Sequence, residues 1–292
     1  MSVEWITVSR PALFVPFFVV YLIILTGNSL IIYRIWVERS LQFPMYWLIS
    51  LLFIVNISCT NAILPKYLLS LAFRLHQISL VGCLIQMFFI YSSLVFESAL
   101  VLIMALDRFV AICRPLHYYS IITKKLLIQL NFLNVARSVI LVSPIVITLS
   151  RAQFCRSNII QSFTCENMVV INLGCGDVSS MYLAGLLVRT MVSVVDGSIL
   201  LVSYIKILYT AMKLVSGTAQ SKALNTCGTH LMVATLIYSC GIISRLGISV
   251  SVNVQNTISA IYYLVPPAVN PIIYGLRVHE IRVCLKKSYG RK

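Results

Sequence analysis

The chain has 292 residues, of which 59% are hydrophobic and only 11% charged, with a mean hydropathy of +0.93 and a net charge of +15. That composition lies far outside the soluble range and excludes an ordinary soluble domain. A membrane protein remains, whose positive charge calls for a membrane explanation before a nucleic-acid one.

A helix needs about 20 mostly apolar residues to cross the hydrocarbon core. In chain order such windows cover 12–36, 45–72, 81–113, 126–149, 180–212, 223–247 and 255–276, which predicts seven spans in a single membrane domain. The runs are continuously apolar and lack the period-two alternation of barrel strands, so they predict helices. The first has no small-residue cleavage site behind a short apolar core, so it reads as an anchor and the mature chain is expected to begin near Met1. The third ends in the charged pair Asp107 and Arg108, followed by a basic, proline-containing turn. Loops are short, the longest being Ser150 to Ser179, and no repeat or low-complexity tract interrupts them. After the last span, residues 278–287 set Ile281, Val283, Cys284 and Leu285 among cations. This pattern suits a short amphipathic helix on the inner membrane face, with a solvated basic tail as the other reading.

Lys and Arg in short loops set orientation. Arg34 and Arg39 follow the first span; Arg114, Lys124 and Lys125 the third; Lys206, Lys213 and Lys222 surround the fifth-to-sixth connection; the tail adds Arg277, Arg282, Lys286, Lys287, Arg291 and Lys292. The other side carries Arg10, Lys66, Arg74, Arg151 and Arg156, partly offset by Glu4, Glu166 and Asp177. The N-terminus is therefore expected outside and the C-terminus in the cytoplasm. The net charge belongs mostly to the cytoplasmic face, where it attracts anionic lipid headgroups, and it is no argument for nucleic acid.

Of the nine cysteines, Cys83, Cys155, Cys165 and Cys175 fall in the outer, oxidising region, where four allow three pairings. Cys59, Cys113, Cys227, Cys240 and Cys284 read as buried or reduced thiols. No CxxC pair and no outer-loop His accompany them, which argues against zinc.

Five ordered motifs resemble those of odorant receptors of the rhodopsin-like G-protein-coupled class, over nearly the whole length. FPMYWLIS at Phe43 to Ser50 is similar to the family's PMYFFLS, and MALDRFVAICRPLHY at Met104 to Tyr118 to its MAYDRYVAICxPLHY. Ser203, Tyr204 and Ile207 resemble SYxxI, KALNTCGTH at Lys222 to His230 resembles KAxSTCxSH, and PPAVNPIIYGLR closes the set at Pro266 to Arg277. Gly27 and Asn28 also sit where the family has them in the first span. The resemblance implies a multi-pass plasma-membrane receptor that binds a small extracellular molecule and activates a heterotrimeric G protein, by analogy a stimulatory one that raises cyclic AMP. A non-olfactory receptor of the same class is the alternative. It also implies the disulfides Cys83–Cys165 and Cys155–Cys175, which would hold the long outer loop as a lid.

Residue by residue, Asp107 and Arg108 are read as a switch, with Arg108 held at rest and released to a cytoplasmic partner; a simple positive-inside anchor is the plainer reading. Tyr204 and Tyr274 lie near the same end, while Asn270 and Pro271 make a hinge, because proline removes a donor and frees a carbonyl. Glu97 is a carboxylate deep in apolar sequence, a costly placement. The resemblance implies an Asp facing it on the second helix, the two holding sodium; Asn56 stands there instead. Either a weaker sodium site or a protonated Glu97 bonded to Asn56 is expected, with no other cofactor. The Asn56-Ile57-Ser58 sequon lies within a span and is not expected to carry a glycan.

Arg189 and Arg245 lie in the outer halves of the fifth and sixth helices, with Asp196 two turns below Arg189. A guanidinium facing an outer cavity suits a carboxylate, which points to an anionic or zwitterionic ligand, with Asp196 countering an Arg or meeting an amine. Internal pairing or snorkelling of these charges is the competing reading. Tyr91, Leu94, Val95, Val192, Tyr238, Ile242 and Tyr263 are expected to wall the same pocket or to be ordinary core. Arg137, near mid-depth in the fourth span, has no explanation at this level. No repeated half suggests a transporter, the last span has no lysine for a retinal Schiff base, and His76, His117, His230 and His279 sit at loops or helix ends with no HExxH, so no enzyme is expected.

Overall fold

The structure, a computed structural model, describes residues 2–5, 13–73, 77–154, 159–160, 162–175, 178–214, 227–240 and 252–289. Its long helices are α1 (Phe14–Val37), α2 (Pro44–Phe73), α3 (Leu80–Cys113), α5 (Lys124–Ser150), α7 (Ser179–Leu214) and α9 (Val252–Arg277). Shorter ones are α4 (Tyr118–Ile121), α6 (Asn167–Ile171), α8 (Cys227–Cys240) and α10 (His279–Tyr289). Five of them, α1, α2, α3, α5 and α7, are long and apolar enough to cross a membrane among the described residues. Of the other two expected spans, 223–247 is described only over α8, and its remaining residues lie outside the described ones. The last, α9, has 26 residues but opens on Asn253, Gln255, Asn256 and Thr257. The amphipathic segment after it is α10.

Side-chain oxygens cap two of these helices. Ser79 accepts from Gly82 N at 3.0 Å at the start of α3, and Thr123 from Leu126 N at 3.2 Å at the start of α5. Within the apolar runs, hydroxyls turn back onto their own helix, as Thr60 does to the Asn56 carbonyl at 2.7 Å and Ser143 to Val139 at 2.7 Å. Without water nearby, this satisfies the donor locally. Many large apolar side chains face outward, Phe132 being 73% exposed. A soluble surface would not tolerate that, whereas lipid does.

Buried polar contacts tie the bundle together. Pro271 has no N–H for the Pro267 carbonyl one turn earlier, and Asn28 supplies the missing donor from α1 at 3.0 Å. Asn56 of α2 then donates to Asn28 Oδ1 at 3.1 Å, so a single amide chain joins α1, α2 and α9. Asn134 of α5 donates to the Phe96 carbonyl of α3 at 2.9 Å. One apolar cluster packs Met87, Ile90, Phe163 and Tyr263 around Cys83 and Cys165; another packs Leu48, Phe53, Leu100, Met104 and Tyr274 together.

The sequence reading contained no strands, yet a small three-stranded sheet forms, in the order β2-β1-β3. In it β1 (Ser2–Trp5) pairs antiparallel with β2 (Gln77–Ser79) and parallel with β3 (Ile159–Ile160). Segments this short, drawn from distant parts of the chain, carry no periodic signal.

Candidate functional site

A cavity of about 260 Å³ opens among α3, α5, α6, α7, α8 and α9. It lies just under the usual range for small-molecule sites, about 300–1,000 Å³. Tyr91, Leu94 and Val95 face it from α3, Arg189 and Val192 from α7, Tyr238 from α8 and Tyr263 from α9. These are seven of the nine residues the sequence reading assigned to one pocket. The other two, Ile242 and Arg245, lie outside the described residues. The spacings explain the convergence, since Tyr91, Leu94 and Val95 share one helical face, as do Gly185, Arg189 and Val192.

The loop between α5 and α7 supplies what the sequence reading missed. Cys83 and Cys165 form a disulfide, and Cys165 N donates to Gln86 Oε1 at 3.1 Å, so the loop is fixed to α3. Cys175 is also disulfide-bonded, but its expected partner Cys155 lies outside the described residues. From this anchored loop Glu166 and Asn167 reach the cavity. Asn167 N donates to the Tyr91 hydroxyl at 2.9 Å, and the Asn167 side chain, 1% exposed, packs against Gly185. A Cβ at Gly185 would collide with the Asn167 amide nitrogen, so glycine makes room for it. Both Asn167 side-chain atoms and Glu166 Oε1 are buried without a hydrogen-bond partner. Burial pushes the Glu166 carboxyl above the ordinary carboxylate range, against the lowering pull of a Ser259 hydrogen bond and the Arg189 charge. Arg189 interacts electrostatically with Tyr91, Tyr262, Tyr263 and Glu166.

Of the readings open for Asp196, the structure favours internal pairing: the Arg it counters is Arg137 of α5, whose Nη2 lies 2.8 Å from Oδ1 and 2.9 Å from Oδ2. Ser98 donates to Asp196 Oδ2 at 2.6 Å and lies 2.9 Å from the Tyr238 hydroxyl. A charged and hydroxylic network thus sits beneath the cavity, and it accounts for the otherwise unexplained Arg137. The pairing spans 59 residues and depends on how α5 packs on α7, which helix periodicity does not report.

Glu97 and Asn56 meet at a second, smaller cavity of about 20 Å³, room for about one water or ion. The expected bond between them is replaced: the Asn56 amide nitrogen goes to Asn28, and Glu97 Oε1 is buried without a partner. One carboxylate and one amide are a thin donor set for a cation.

At the opposite end of α3, Asp107 is fully buried and Arg108 partly so. Arg108 Nε donates to Asp107 Oδ2 at 2.9 Å, and the Tyr118 hydroxyl of α4 donates to Oδ1 at 2.6 Å. Burial first, then this bond, pushes the Tyr118 hydroxyl above its ordinary range. Nearby, Tyr204 is buried with its hydroxyl unpaired, and the Asn270 amide is likewise buried and unpaired, next to Pro271 on α9. Tyr274 lies 3.3 Å from His230 Nδ1. His230 lies in the first described turn of α8, near a helix end as expected, and is 2% exposed. Its place in the KALNTCGTH motif was the available signal.

A family model described as Olfactory receptor matches residues 17–292. Human (Homo sapiens) olfactory receptor 52K1 is 36% identical over 282 residues, covering 95% of this chain and 90% of that protein. Human olfactory receptor 52K2 matches equally, at 36% over 282 residues with 95% and 90% covered. Human olfactory receptor 52H1 is 36% identical over 272 residues, covering 92% of this chain and 87% of its own. Motifs, helical membrane architecture and these matches agree: the chain belongs to the olfactory receptor family of G-protein-coupled receptors, multi-pass proteins of the plasma membrane that are receptors and not enzymes.

Proposed function

We propose that this chain crosses the membrane seven times, N-terminus outside, and that it takes a small odorant into the cavity beside Arg189 to activate a heterotrimeric G protein, raising cyclic AMP. The observation that carries the ligand half is the cavity itself, an apolar enclosure with a few convergent polar groups. With Asp196 engaged by Arg137, Arg189 is, among the described residues, the cationic side chain that lines it, which supports an anionic or zwitterionic ligand. The coupling half is supported by the closed Asp107–Arg108–Tyr118 cluster, a contact that an inward-facing partner could exchange for its own. Tyr204, Asn270 and Tyr274 bring unpaired or weakly paired polar atoms to that end. A ligand drives such an exchange only if it binds the open state better than the closed one. At Glu97 and Asn56 the reading is a weak site for one water or one sodium ion. Cyclic AMP in cells displaying the receptor, screened against carboxylates and amino acids, tests the whole. A response abolished by Arg108→Ala at equal surface expression is expected; a response unchanged by it would refute the coupling role.

A further inference from the structure

Three unsatisfied atoms converge at the loop end of the cavity: Glu166 Oε1, Asn167 Oδ1 and Asn167 Nδ2. Buried polar atoms normally have partners, and a site that leaves several unpaired in one place is shaped for a ligand that pairs them. Arg189 lines the same cavity and interacts electrostatically with Glu166. The Arg189 Cα lies one helical turn, about 6 Å along the axis, from Gly185, against which the Asn167 amide is packed. The set therefore offers a carboxylate, a guanidinium and, beside them, one acceptor and one amide donor.

Each simple charge type fits half of this set. A carboxylic acid anion would meet Arg189 and Asn167 Nδ2, but would place its charge against Glu166 and leave Asn167 Oδ1 unpaired. An amine would meet Glu166 and Asn167 Oδ1, but would face Arg189 and leave Nδ2 unpaired. A head group carrying both charges on one carbon satisfies all four and brings no net charge into a low-dielectric cavity.

We propose that the cavity takes the head of an α-amino acid, its ammonium on Glu166 Oε1 and Asn167 Oδ1 and its carboxylate on Arg189 and Asn167 Nδ2. The amino acid's apolar side chain then lies along Leu94, Val95 and Val192. This rests on reading the cavity as the agonist site, and it narrows that reading from anions in general to zwitterions. Asn167 is the residue that joins the two halves, and Gly185 gives it space.

The test is equilibrium binding of radiolabelled L-leucine to the purified full-length receptor in detergent, competed by isocaproate, which lacks the ammonium, and isoamylamine, which lacks the carboxylate. L-leucine is expected to bind at least about ten-fold tighter than either, since each leaves a buried group unpaired. Glu166→Gln should reverse the preference toward isocaproate, and Arg189→Gln toward isoamylamine. These are ratios measured on one folded sample, so a variant that merely reduces yield does not mimic them. Isocaproate binding as tightly as L-leucine, a Glu166→Gln ratio unchanged from wild type, or no saturable L-leucine binding would each overturn the proposal. L-leucine binding without a cyclic AMP response would sink the coupling reading and leave this one standing; a cyclic AMP response to other compounds without L-leucine binding would do the reverse.

Discussion

The Arg137–Asp196 pair makes a quantitative test of the bundle, because both charges sit where neither can escape to water. Arg137 is at the middle of the 27-residue α5, thirteen residues from each end, or about 20 Å by helical rise. An arginine side chain cannot snorkel that far. Asp196 is 2% exposed. Asp196→Asn keeps an acceptor for Ser98 but strands the guanidinium, and an unpaired charge at a helix centre costs about 2.5–3.5 kcal/mol on insertion scales. Arg137→Leu strands the carboxylate, a second unpaired charge of similar cost. The double variant strands nothing. A double-mutant cycle should therefore give singles destabilised by about 3 kcal/mol, roughly 150-fold in the folding equilibrium, and a double within about 1 kcal/mol of wild type. Unfolding of the purified receptor in mixed micelles by added denaturing detergent, followed by tryptophan fluorescence, measures all four corners. A coupling energy no larger than the average membrane interhelical hydrogen bond, about 0.6 kcal/mol, would refute the idea that the two charges hold α5 to α7.

Three further outcomes follow from particular contacts. Gly185→Ala should weaken ligand response at least about ten-fold with normal surface expression, since the added methyl displaces the Asn167 amide; an unchanged concentration–response curve would exclude Asn167 from recognition. Cys83→Ser opens a loop spanning 82 residues, and chain entropy puts the loss at about 4.5 kcal/mol, read as a lower melting temperature that the wild type reproduces only under reducing agent. L-leucine binding should weaken as pH falls from neutral into the mildly acidic range. Burial raises the Glu166 carboxyl, which faces Ser259 and the Arg189 guanidinium, so it takes up a proton sooner than an ordinary carboxyl and loses the ammonium. Glu166→Gln should flatten that profile.

Much of the cavity's lining was legible because helices project residues with a fixed period. Tyr91, Leu94 and Val95, or Arg189 and Val192, must share a face wherever α3 and α7 are placed, and the motif-bearing ends fixed which face looks inward. What stayed illegible depends on packing between helices or on a loop without period. Arg137 found its partner only once α5 lay against α7. Asn56 was expected to meet Glu97, but the freed Pro267 carbonyl draws Asn28 into the bundle, and Asn56 bonds to Asn28 in its place. Glu166 and Asn167 looked like polar loop residues; only the Cys83–Cys165 bond and the Gln86 contact turn that loop down into the bundle.

Two helices carry both ends of the proposed signal. On α3, Tyr91, Leu94 and Val95 meet the cavity, Ser98 meets the Asp196 network and Asp107 meets Tyr118. On α7, Gly185, Arg189 and Val192 meet the cavity, Asp196 meets Arg137 and Tyr204 is buried toward Arg108. Tyr238 adds α8 through its contact with Ser98, directly under the ligand space. A ligand that displaces Tyr238 therefore acts on a hydroxyl whose neighbour is bonded to a buried ion pair, and small displacements there carry a large electrostatic cost. Contiguity alone does not make a transmission route. What would make it one is coupling between Tyr238→Phe and Asp196→Asn in the ligand-dependent response beyond the sum of their separate effects, and additivity of the two would assign the network to holding the bundle together and nothing more.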